Sequence, residues 1–133
     1  LFSSDTSTDI ARVHSVTIGT TPGVEIRFNH GIPSITLADK YDRITFIQTV
    51  DDIDGDGYNE LYFIAAEHNS CRATGILAQL REKKWIELQS VNQYGCILVE
   101  SYTRMVRTSN TNEYTITYQP TADSDQETIK GKL

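Results

Sequence analysis

The chain has 133 residues, a formal net charge of −6 at pH 7 and 38% hydrophobic residues. That length suffices for one domain with its own core, and no apolar run approaches the roughly 20 residues of a membrane helix. The acidic balance repels a phosphate backbone and offers no basic stripe, which argues against a nucleic-acid partner; a basic protein is the partner class that long-range attraction favours.

Residues 1–10, rich in Ser, Thr and Asp, read as a disordered polar leader, of the kind left when a signal peptide is removed. A lipid-anchored precursor is compatible with it. Residues 11–133 are expected to form a single β domain, because short alternating or β-branched runs recur and no 3.6-residue periodicity is sustained. In chain order the expected strands are 13–18, 24–28, 34–37, 43–50, 60–66, 75–80, 84–89, 96–101, 113–118 and, more weakly patterned, 127–131. Turn chemistry separates them in "TTPG", "NHGIP", "REKK", "NQYG" and "TSNTN", and "LADKYDR" (37–43) is the one stretch with room for a helical turn. Strands at such spacing predict an all-β, antiparallel sandwich, barrel or meander.

The two cysteines, Cys71 and Cys96, provide no Cys-x-x-Cys redox motif and too few thiols for a cysteine zinc cluster. A single disulfide is the favoured reading; it would close a loop of about 26 residues, worth about 3–4 kcal/mol in the chain-entropy model. It implies an oxidising compartment, periplasmic or extracellular; the other reading is two buried thiols in a cytosolic protein.

The stretch "DDIDGDGYNE" (51–60) lies between the apolar runs "RITFIQTV" and "LYFIAA". Its spacing puts Asp52, Asp54, Asp56 and Glu60 at positions 1, 3, 5 and 9 of a cation loop, with Gly57 at the sharp sixth position and the Tyr58 backbone carbonyl at the seventh. Hard oxygen donors on a flexible loop suit Ca²⁺ better than Mg²⁺, which demands a stricter octahedron. Phe63 occupies position 12, where a helix-loop-helix site needs its bidentate Glu, so that role falls to Glu60 and the flanks read as strands. The alternative is an ion-free Asp-Gly hairpin, which requires one Asp-Gly and not four acids in register.

"DIDGDGYNELYFIAA" resembles the calcium loop and following strand of FG-GAP or VCBS-type modules, over about residues 44–66. A full propeller is not implied, since the signature occurs once. By size the chain also resembles small bacterial periplasmic inhibitors of lysozymes and immunity proteins against peptidoglycan-cleaving toxins, some of which carry one such loop. Those inhibitors place a Ser-Gly-x-x-Tyr-Gly segment in the lysozyme cleft, whereas here the corresponding stretch is "EHNSCRATG" (67–75), so the resemblance implies a fold and not a particular lysozyme target.

No nucleophile elbow, His-Glu-x-x-His helix or phosphate loop is present, and His68 with Cys71 reads as loop chemistry rather than a catalytic or zinc pair. The chain is therefore not expected to be an enzyme. Candidate partner contacts are His68, Asn69 and Arg72 in the loop 67–75, with Trp85 and Tyr94 beyond it; Trp85 reads first as core packing and second as an interface anchor. The expectation is a secreted or periplasmic calcium-binding protein that binds a protein partner, as an inhibitor or immunity protein of a cell-wall hydrolase. The competing class is an adhesion or carbohydrate-binding module with a calcium-ordered site.

Overall fold

The computed structural model describes residues 11–38, 40–50, 52–53, 55, 57, 59–95, 104–107, 112–121 and 123–133. The leader 1–10, the strand expected at 96–101 and most of "TSNTN" lie outside the described residues. Every described element is a strand: β1 (Ala11–Ile18), β2 (Thr21–Phe28), β3 (Ile35–Leu37), β4 (Tyr41–Thr49), β5 (Leu61–Glu67), β6 (Arg72–Arg81), β7 (Lys84–Tyr94), β8 (Arg104–Arg107), β9 (Glu113–Tyr118) and β10 (Glu127–Lys132). They form three antiparallel sheets, β1-β2-β3, the meander β4-β5-β6-β7, and β10-β9-β8. None closes into a barrel, which removes that option and leaves the sandwich and the meander.

The meander is the central layer. Leu61 to Ala66 on β5 and Ala73 to Gln79 on β6 are buried without interruption, and a strand covered on both faces needs no polar alternation. Side chains of β5 alternate between two cores. Leu61 and Phe63 pack with Ile76 and with Ile26 and Ile32 of the first sheet region. Tyr62, Ile64 and Ala66 pack with Leu77, Val91 and with Tyr114 and Ile116 of β9. The first and third sheets thus cover opposite faces of the meander, and each large apolar side chain enclosed this way contributes about 1.5–3 kcal/mol.

Several boundaries differ from the pattern reading, for identifiable reasons. The described residues of 37–43 are not helical; Tyr41 is already in β4, opposite Glu67, and its hydroxyl shares a 2.9 Å hydrogen bond with Thr74 Oγ1. β2 begins at Thr21, inside "TTPG", because the reversal is made earlier by Gly19 at φ 65°. β7 runs on to Tyr94, since its polar segment 90–94 stays paired with β6 as far as Arg72. β8 was not expected, as two arginines bracket only two apolar residues, yet it pairs with β9 from Arg104–Thr117 to Arg107–Tyr114.

Candidate functional site

The acidic loop connects β4 to β5, and its base is closed by the backbone: Val50 N–H donates to Glu60 O at 3.0 Å. Asp52 acts as the loop's internal acceptor, taking Gly55 N–H at 2.9 Å on one carboxylate oxygen and Gly57 N–H at 2.7 Å on the other. Both glycines are in the left-handed region, at φ 76° and 94°, which places Gly57 in the kind of sharp turn the sixth loop position requires. Ile53 is fully buried in the core between the central and third sheets, so the loop is pinned through its second residue. Asp54, Asp56 and Tyr58 lie outside the described residues. Among the described residues no group of three His, Cys, Asp or Glu side chains is gathered as a metal cluster.

Glu60 is the unusual member. Its side chain has 0% exposure, and its Oε2 accepts the Ile53 N–H at 2.6 Å. A carboxylate withdrawn from water keeps its charge only when donors or a cation surround it. Burial of the ninth-position acid was not legible locally, because it follows from β5 being the middle of three layers. The donor set at this end is oxygen-only, from Asp52 and Glu60, which fits a hard divalent cation.

The candidate partner residues fall into two groups. The stretch 67–75 is not a long loop: the reversal is confined to residues 68–71, and Arg72 onward is β6, with Ala73 to Gly75 buried. The tertiary covering of β6 overrides the turn character of "CRATG". The reversal itself is well tied. His68 N–H donates to Lys40 O at 2.8 Å, Asn69 Nδ2 donates to His68 Nε2 at 3.1 Å, and the His68 Nδ1–H therefore faces Asp42 Oδ2 at 2.5 Å. Asn69 sits at φ 50°, a region Asn tolerates. Tyr94 lies opposite Arg72 in the β6–β7 register and donates its backbone N–H to Gln119 O at 2.8 Å. His68, Asn69, Arg72 and Tyr94 are thus gathered at one end of the meander. Beside them a polar cleft of about 320 Å³ is lined by Lys40, Glu67, Arg72, Asn92, Gln93 and Pro120.

Trp85 is at the opposite end, beside the Arg81–Lys84 closing pair of the β6–β7 hairpin. It is half-buried, stacks on Phe28 with ring centroids 5.1 Å apart, and donates its indole N–H to Pro33 O at 2.7 Å. These contacts clip the first sheet to the central one, in line with core packing. β5 separates the acidic loop from the His68 reversal, seven residues and so roughly 20 Å. Cys71 is exposed at the reversal, where its carbonyl accepts Gly95 N–H at 2.7 Å; Cys96, and with it the expected disulfide, lies outside the described residues.

The chain matches no protein-family model, and no characterised protein or solved structure is significantly similar to it.

Proposed function

We propose that the chain is a calcium-ordered β protein of the periplasm or cell exterior that binds a protein partner, as an inhibitor or immunity protein of a peptidoglycan hydrolase, and that it is not itself an enzyme. The observation that carries the calcium reading is the fully buried Glu60 at the ninth position of the Asp-x-Asp-x-Asp-Gly register, held by the Ile53 N–H of the same loop. Asp52, Asp54, Asp56, the Tyr58 carbonyl and Glu60 would hold the ion, which would neutralise their repulsion and fix the β4–β5 connection, so that binding free energy appears as folding stability. An acidic protein with a tightly tied polar end at His68, Asn69, Arg72 and Tyr94 supports the partner reading: net charge steers it to a basic enzyme, and preformed turns lose little entropy on binding.

A glycan-binding reading has one observation in its favour, the cleft at the same end, whose mixed cationic, carboxylate and amide lining suits a hydroxyl-rich ligand. Thermal unfolding in Ca²⁺ and in EGTA, for the unaltered chain and for Asp54→Ala, tests the ion: a calcium-dependent rise in Tm that the substitution abolishes supports it, and equal melting curves overturn it. Titration into a cell-wall lysis assay with a basic lysozyme-type hydrolase tests the partner. Stoichiometric inhibition, unaffected by added chito-oligosaccharide, supports an inhibitor of such enzymes, whereas weak calcium-dependent binding to the sugar alone supports the glycan module.

A further inference from the structure

Gln79 on β6 is a buried polar residue that the hydrogen-bond network leaves unexplained. It is 5% exposed, and its Oε1 is enclosed with no hydrogen-bond partner. A buried carbonyl oxygen left without any partner costs about 1–3 kcal/mol, and in folded proteins such a group is ordinarily met by a donor, an ordered water or an ion.

Its position bears on which of these it meets. Strand alternation puts Gln79 on the same face of β6 as Leu77, the face that packs toward β9. The β5–β6 register pairs Tyr62 with Leu77 and Leu61 with Ala78; continued by one residue on each strand, it sets Glu60 opposite Gln79. Direct cross-strand neighbours on one face have Cβ atoms roughly 4.5–5.5 Å apart. Val50 and Ile53, which flank the start of the acidic loop, are buried in the same core as Tyr62 and Leu77. By that extension the Gln79 amide on β6 occupies the position across from the buried carboxylate that ends the loop.

We propose that Gln79 is a ligand of the cation site, its Oε1 coordinating the calcium ion held by Asp52–Glu60. The inference rests on the calcium reading of that loop. Amide oxygens are ordinary Ca²⁺ ligands, and one supplied from β6 ties the β4–β5 loop to the β6–β7 hairpin, which the loop's own ligands do not do. It also explains why a glutamine is tolerated on a strand otherwise covered by apolar side chains.

The test is isothermal titration of the full chain with Ca²⁺, for the unaltered protein, Gln79→Leu, Gln79→Glu and Asp54→Ala, with each variant also melted in EGTA to establish that it folds. The expected result is a single site that Gln79→Leu weakens tenfold or more and that Gln79→Glu retains or tightens, because a carboxylate oxygen replaces an amide oxygen. In EGTA, Gln79→Leu should melt no lower than the unaltered chain, since the orphaned carbonyl is gone. Binding by Gln79→Leu equal to that of the unaltered chain overturns the inference and leaves the calcium loop intact. Equal weakening by Leu and Glu also overturns it, because the amide then serves as an N–H donor to Glu60. Absence of Ca²⁺ binding by the unaltered chain overturns the loop reading itself, and the role of Gln79 with it.

Discussion

The ring of Tyr62 on β5 occupies the space a side chain at Gly75 on β6 would need: a Cβ built there would lie 2.9 Å from the ring's Cζ. Gly75 faces Ile64 in the ladder, so the tyrosine reaches it diagonally across the strand pair, and an exposed-looking "TG" in the sequence is in fact part of the core. Gly75→Ala should therefore destabilise the protein by about 1–3 kcal/mol through overpacking. Tyr62→Phe should do the opposite. The hydroxyl is buried without a hydrogen-bond partner, and removing an unsatisfied polar group is expected to stabilise by about 1 kcal/mol. Urea unfolding of both variants checks the pair; loss of stability in Tyr62→Phe would show that the hydroxyl is held in a way the core does not reveal.

Alkaline pH should act through the same residue. Burial raises the Tyr62 phenol well above its ordinary value, and burial raises that of Tyr114, which donates its hydroxyl to Gln89, as well. A phenol whose folded value is raised contributes stability that is fully present below the unfolded value of about 10 and is lost as pH climbs from there toward the folded value. Stability is thus expected to be insensitive to these two groups below about pH 10 and to fall above it, by up to about 1.4 kcal/mol per pH unit for each proton the unfolded state releases first. Denaturant melts between pH 8 and 11.5 should show the decline, and Tyr62→Phe should reduce its slope; an unchanged slope would mean that Tyr62 ionises freely.

Much of this architecture is legible in the sequence where local pattern and burial agree. "ELYFIAA" reads as a strand because it is continuously apolar and short, and the Asp-Gly register marks the connection before it. What pattern reading misses is set by neighbours. The polar end of β7, residues 90–94, is held in the ladder by β6 and carries only Val91 and Gln93 as buried residues. β8 is too short and too basic to stand out. Tyr41 and Asp42 look like turn residues until Glu67 and His68 arrive opposite them from β5 and its reversal. The central meander's double covering, which makes Glu60 and Gln79 buried polar residues rather than solvated ones, depends on two other sheets and has no local signature.

Trp85 is the only tryptophan, and its place between Phe28, Pro33 and the central sheet makes it a reporter of how the first sheet docks. Trp85→Phe keeps a ring for Phe28 to stack on but leaves the Pro33 carbonyl without its indole donor, an expected cost of about 1 kcal/mol. Trp85→Ala removes the clip altogether and should cost about 2–4 kcal/mol, below the full range for a completely buried aromatic because Trp85 is half-buried. Guanidinium melts give both values. Emission of the unaltered protein should shift to longer wavelength in step with loss of far-ultraviolet β signal; an earlier fluorescence transition would show that the first sheet detaches on its own.

Glu60 permits a separation between its role in the chain's own hydrogen bonding and any role toward an ion. Its Oε2 accepts from Ile53 N–H, and both residues are fully buried, so in EGTA the comparison of Glu60→Gln with Glu60→Leu tests the value of an acceptor at this position. Glutamine keeps an oxygen that can take the Ile53 N–H; leucine does not, and an orphaned buried N–H costs about 1–3 kcal/mol. Glu60→Leu is therefore expected to be less stable than Glu60→Gln by about that amount in the absence of Ca²⁺. Adding Ca²⁺ should raise the Tm of the unaltered chain by more than it raises that of either variant, because neither retains the ninth-position charge and each loses linkage free energy that binding to the native state supplies. If Glu60→Gln gains as much from Ca²⁺ as the unaltered protein, the buried carboxylate serves only to anchor Ile53, and the ion, if bound, is held without it.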